Sequence, residues 1–91
     1  MADIAKHVIY TGRVQGVGFR FTAQRIAMRH ELAGYVKNLG SGQVEMFAQG
    51  HPEDIADCLR DISESFAAHI RETTINEVSA NPGYTEFTIA F

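Results

Sequence analysis

Apolar and polar residues alternate along "IAKHVIYTGRV", with Val8 and Tyr10 on one face and His7, Ile9 and Thr11 on the other. A period of two, rich in β-branched and aromatic residues, predicts a central strand that ends at the glycines after it. From Phe19 the period changes. Phe19, Ala23, Ile26, Ala27 and His30 recur at i, i+4, i+7, i+8 and i+11, a helical stripe, with Arg20, Gln24, Arg25 and Arg29 as its polar partners. This helix is expected to stop near Glu31, because "LAGYVKN" turns to strand chemistry around Gly34.

The stretch "GYVKNLGSGQVEMFAQG" predicts two short strands joined by a glycine-rich turn, a hairpin. In "HPEDIADCLRDISESFAAH", Pro52 suits the first helical position and Glu53 and Asp54 the first turn, where the helix dipole favours acids. Ile55, Leu59, Ile62 and Phe66 then repeat at i, i+4, i+7 and i+11, with Cys58 beside them. After His69, "IRETTINEV" predicts a strand, "SANPG" a turn and "YTEFTIAF" a last short strand. The order is β-α-β-β-α-β with a small terminal strand. It predicts an α+β, ferredoxin-like sandwich: two helices on one face of an antiparallel sheet, the other face wetter. No repeat or linker interrupts residues 1–91, which are expected to form one domain with a core large enough to need no metal or disulfide.

Charge narrows the function. The net charge is −3, and the eight Lys and Arg residues are scattered. That opposes sequence-independent nucleic-acid binding, which neutralises many phosphates, and a membrane-surface role as well. Cys58 is the only cysteine, so no internal disulfide forms, which fits a reducing cytoplasm as the expected location. It reads as a packed thiol on the apolar side of its helix, and Asp57 and Asp61 nearby oppose a reactive thiolate. "MADIAKHVIY" carries no apolar core of an export signal, and no apolar run approaches the roughly 20 residues that span a bilayer. His7, His30, His51 and His69 show no paired metal-ligand spacing.

The stretch "GRVQGVGFR" joins the first strand to the first helix and sets Gly12, Gly16 and Gly18 ahead of Arg20. Two readings stand. The glycines make a tight corner and nothing more, or converging backbone N–H groups and the Arg20 fork bind a small anion. The loop fits neither G-x-x-x-x-G-K-[ST] nor G-x-G-x-x-G, which opposes nucleoside triphosphate and dinucleotide binding. Asn38 is open in the same way: a turn residue, or an untitratable amide that donates and accepts at a site. Lys37 beside it is either a solvated strand residue or a guide for anions.

"GRVQGVGFR" resembles the signature of the acylphosphatase family, and "GYVKNLGSGQVEMFAQG" resembles its second signature. The second runs Gly, aromatic, Val, basic, Asn, three residues, Gly, one residue, Val, five residues, Gly. Gly34, Tyr35, Val36, Lys37, Asn38, Gly42, Val44 and Gly50 meet every spacing. With the element order, the resemblance covers nearly the whole chain. It implies hydrolysis of acyl phosphates without metal or cofactor. Arg20 would hold the phosphate, Asn38 would orient the water, and the backbone amides of Gln15, Gly16, Val17, Gly18 and Phe19 would cradle the phosphoryl oxygens.

The implied partner is a small acyl phosphate, with phosphate or sulfate able to occupy the site. Neither nucleic acid nor membrane is expected, and a monomer is the default. The alternative is a non-catalytic phosphate-binding or regulatory domain of the same fold, including one detached from a larger carbamoyl-transfer enzyme. An RNA-recognition module shares the architecture, but "VGFRF" falls at a helix start and the charge is acidic.

Four features depart from the family pattern: Tyr10 at a commonly aliphatic position, Ser41 in place of a frequent aspartate, His30-Glu31-Leu32 in place of Leu-Gly-Leu, and no Gly-Pro near Ser65 and Phe66. All four bear on stability or loop shape.

Overall fold

The computed structural model describes residues 3–91. Its elements run β1 (Ile4–Gly12), α1 (Phe19–Arg29), β2 (Ala33–Asn38), β3 (Val44–Gly50), α2 (Pro52–Ser65), β4 (Ile70–Val78) and β5 (Phe87–Ile89). The sheet order is β4-β1-β3-β2-β5. Val8, Tyr10, Val36, Val44, Met46 and Ala48 share one sheet face and pack with Phe19, Ala23 and Ile26 of α1 and Ile55, Cys58 and Ile62 of α2. Both helices therefore cover the same face, as their single apolar stripes require. Burial pushes the Cys58 thiol up to about 12, which makes it an inert packing group.

The expectation of an antiparallel sheet holds for β1 to β4 and fails at β5. This strand pairs parallel with β2, Gly34 opposite Phe87 and Val36 opposite Ile89. Strand directions explain it: β4 ends at the end of the sheet where β2 begins. A chain that crosses to the far edge without doubling back enters beside β2 in the same direction. The crossing is held by Gln49, whose Nε2 donates to Asn81 O at 2.8 Å while its Oε1 accepts from Asn81 N at 2.7 Å. Tyr84 packs on Phe47, ring centroids 5.1 Å apart.

On the face away from the helices, His7 Nε2 lies 2.9 Å from Glu45 Oε2, and Tyr35 OH donates to Glu45 Oε1 at 3.2 Å. Burial and the Glu45 charge push the Tyr35 hydroxyl up to about 12. Tyr10, on the helix side, is fully buried 4.9 Å from the Phe19 ring centroid. Its hydroxyl has no hydrogen-bond partner among the described residues, and burial raises it well above the usual phenol range. No helix among the described residues is long and apolar enough to cross a membrane.

The end of α1 carries the largest local departure. Leu32 N donates to Ala27 O and Glu31 N to Met28 O, both at 3.0 Å, which is the Schellman arrangement. That motif puts Glu31 in the left-handed region at φ 58, the position where the family's glycine would sit without strain. His30, just past the helix, leaves the predicted stripe and bonds Asp61 of α2 at 2.9 Å, holding that carboxyl below its usual range. Replacing Glu31→Gly relieves the cost of a left-handed backbone at a residue with a Cβ and keeps both backbone bonds. The expected result is a gain of about 1 kcal/mol, or roughly 4–8 °C in Tm for a domain of this size, read by thermal denaturation.

Candidate active site

The loop after β1 reaches α1 through two glycines, Gly16 and Gly18, each at φ 77. Space beside both is open, so what glycine supplies there is the left-handed conformation. Gly18 is the N-cap of α1 and provides no side-chain cap, and the first turn holds no acid. The opposite holds at α2, where His51 Nδ1 accepts from Glu53 N at 3.3 Å and Glu53 and Asp54 fill the first turn. The first amides of α1 thus have no hydrogen-bond partner among the described residues, at the positive end of the helix, where an anion is the natural acceptor.

Those amides border a cavity of about 170 Å³ lined by Val14, Gly16, Gly18, Phe19, Arg20, Phe21 and Asn38. Arg20 arrives there from the first turn of α1. It makes no ion pair among the described residues, and its guanidinium carbon sits 5.4 Å from the centre of the Phe91 ring. Asn38 arrives from the end of β2, where its Cα pairs with Val44. A period of two puts it on the face of Val36, toward the helices. Asn38 Oδ1 is sealed from solvent and has no hydrogen-bond partner among the described residues. A half-turn of the amide plane exchanges oxygen and nitrogen, so this side chain can offer the cavity either an acceptor or a donor.

The cavity therefore unites five of the seven expected residues: Gly16, Gly18, Phe19, Arg20 and Asn38. Gln15 and Val17 flank it. The Gln15 side chain turns to the hairpin, where its Nε2 donates to Leu39 O and Gln43 O, both at 2.8 Å. Gln43 in turn donates to Thr11 Oγ1 at 3.0 Å and accepts from Ser41 Oγ at 2.9 Å. The loop and the turn after Asn38 are thus tied directly to each other. Lys37 lies opposite Glu45 on the other face of β2 and is not among the residues that line the cavity.

Phe21 and Val14 were not among the expected lining residues. Phe21 had a signal: it is a large apolar residue off the buried stripe of its helix. The histidines are dispersed in other work. His7 and His30 pair with carboxylates, His51 caps α2, and His69 packs edge-on against Phe66.

The acylphosphatase family model matches residues 6–89. An acylphosphatase of Bacillus velezensis is 40% identical over 86 residues, covering 93% of this chain and 96% of that relative. The crystal structure of acylphosphatase from Bacillus subtilis aligns with a TM-score of 0.87 at 29% identity, covering 97% of this chain and 99% of that one. Full-length HypF, solved in a phosphate- and nucleotide-bound form, contains a similar stretch: TM-score 0.86, 30% identity, 99% of this chain and 12% of that one. With both signatures meeting at one cavity in a fold shared along the whole chain, the protein belongs to the acylphosphatase family.

Proposed function

We propose that this chain hydrolyses acyl phosphates to a carboxylate and inorganic phosphate, the backbone amides of Gln15 to Phe19 and the Arg20 guanidinium holding the phosphoryl group and Asn38 orienting the water. The observation that carries this reading is the meeting of Arg20, the uncapped start of α1 and Asn38 at one small cavity. The water oxygen forms a bond to phosphorus as the bond from phosphorus to the carboxylate oxygen breaks. The carboxylate leaves with that electron pair, and the water proton passes to phosphate or solvent.

A carboxylate is a good leaving group, so strong acid assistance is unnecessary. What remains is positioning and stabilisation of charge spread over the phosphoryl oxygens. Fixed amides and a guanidinium supply the positive side of that interaction, so the proposal includes turnover without a metal ion. Asn38 positions water without placing a negative charge beside the phosphate. Every group named here belongs to one chain, so the proposed site needs no second copy to complete it.

Inorganic phosphate is the product and carries the same oxygens. It is expected to inhibit acyl phosphate hydrolysis competitively, and sulfate more weakly. Calorimetry with phosphate on the unmodified protein reads the same site without turnover; a chain that binds no phosphate contradicts the reading.

Gln15 acts here as a positioning residue. Its two bonds hold the loop against the turn that carries Asn38, and a shift of about 1 Å in such a site costs on the order of 10²-fold in rate. Gln15→Ala is expected to lower kcat by about 10- to 100-fold, and phosphate affinity much less. Gln15→Glu faces the two carbonyls with an acceptor and does not restore activity. A fall confined to Tm, with kcat unchanged, would reduce Gln15 to a structural strap.

A further inference from the structure

Six large hydrophobic side chains stay exposed among the described residues, and three of them gather at one place. Met28, Ile75 and Val78 lie elsewhere, whereas Phe21, 66% exposed, is in the cavity lining, with Val17 (39%) and Phe91 (98%) next to lining residues. Phe21 lines it directly, Val17 lies between the lining residues Gly16 and Gly18, and the centre of the Phe91 ring is 5.4 Å from the Arg20 guanidinium carbon. Phe21 follows Arg20 on the first turn of α1, off the buried stripe of Phe19, Ala23, Ile26 and Ala27, so core packing does not account for it. Apolar surface gathered at the mouth of a polar site marks a binding surface.

The acyl part of the substrate is bonded to the phosphoryl group through one oxygen. With the phosphoryl group at Arg20, the acyl part must leave across this rim. Apart from Arg20 the cavity lining holds no charged side chain, and Asn38 is its only other polar one, so little is left to recognise a polar or charged acyl tail. What the rim offers is an aromatic face and two apolar neighbours.

We propose that Phe21, flanked by Val17 and Phe91, is the acyl subsite, and that it selects aromatic and bulky apolar acyl phosphates over small polar ones. This rests on the acyl phosphate reading above. The ring stays in water until an acyl group covers it, so binding removes apolar surface from both partners. An aromatic acyl group adds the offset or edge-on ring contact that a methyl or an amine lacks.

The test compares kcat/KM for benzoyl and acetyl phosphate in the unmodified protein, Phe21→Ala and Phe21→Tyr. It is paired with calorimetry of phenylphosphonate and methylphosphonate, which bind without being hydrolysed. The benzoyl-to-acetyl ratio is expected to fall by about 10-fold in Phe21→Ala and to hold in Phe21→Tyr, and the phenylphosphonate preference to shrink in parallel. A ratio unchanged in Phe21→Ala overturns the proposal, because Phe21 then only supports the loop. Equal binding of the two phosphonates by the unmodified protein overturns it as well, whatever the turnover. A preference for phenylphosphonate that depends on Phe21, in a protein that hydrolyses neither substrate, keeps the subsite and removes the hydrolytic reading.

Discussion

Arg20→Ala is expected to lower kcat/KM for an acyl phosphate by about 10³-fold or more. The guanidinium is the one cationic side chain in the cavity lining, and no carboxylate among the described residues competes for it. Its fork can give two parallel bonds to one phosphoryl group, and arginines that stabilise phosphoryl transfer contribute about 10³–10⁵ in rate. Arg20→Lys keeps the charge but loses the planar fork and should recover only a small part of the activity. Neither change touches the core, because the side chain is half-exposed and outside the buried stripe of α1. Stability is expected to move by no more than about 0.5 kcal/mol, so a lost rate cannot be mistaken for a lost fold. Calorimetry should show weakened phosphate binding in both variants.

Asn38→Ala is expected to lower kcat by about 10²–10³-fold while phosphate affinity changes only a few-fold. The contrast follows from the two roles: Arg20 holds what is bound, whereas Asn38 places the water that attacks it. Stability adds a second check. Asn38 Oδ1 is buried and has no partner among the described residues, a condition that costs about 1–3 kcal/mol in the folded state. Removing it should leave Tm unchanged or slightly raised, although the substitution destroys turnover. Asn38→Asp has the same shape but places a negative charge beside the phosphoryl group, and it should weaken both kcat and phosphate binding.

Much of this molecule could be read from its residues because the hydrophobic periods are clean. Val8 and Tyr10 mark the buried face of β1, and Phe19, Ala23, Ile26 and Ala27 mark that of α1. Arg20 and Asn38 stood out because each lies in a long spaced motif. Their meeting depends on β2 reaching the start of α1, which local patterning does not encode.

Three features lay beyond such reading for the same reason. The direction of β5 is set by where β4 ends, not by the alternation within "YTEFTIAF". The Gln15 strap bridges 24 and 28 residues of sequence to Leu39 and Gln43. The strain at Glu31 comes from Schellman bonds that Ala27 and Met28 accept, although the missing glycine hinted at it.

The most direct measurement is hydrolysis of benzoyl phosphate in EDTA, followed by ultraviolet absorbance, with the unmodified protein, Arg20→Ala and Asn38→Ala side by side. The account predicts metal-independent turnover by the unmodified protein, competitive inhibition by inorganic phosphate, and loss of turnover in both variants with their melting transitions intact. Phosphate binding by a folded, unmodified protein that hydrolyses nothing would contradict it and leave a binding domain of the same fold.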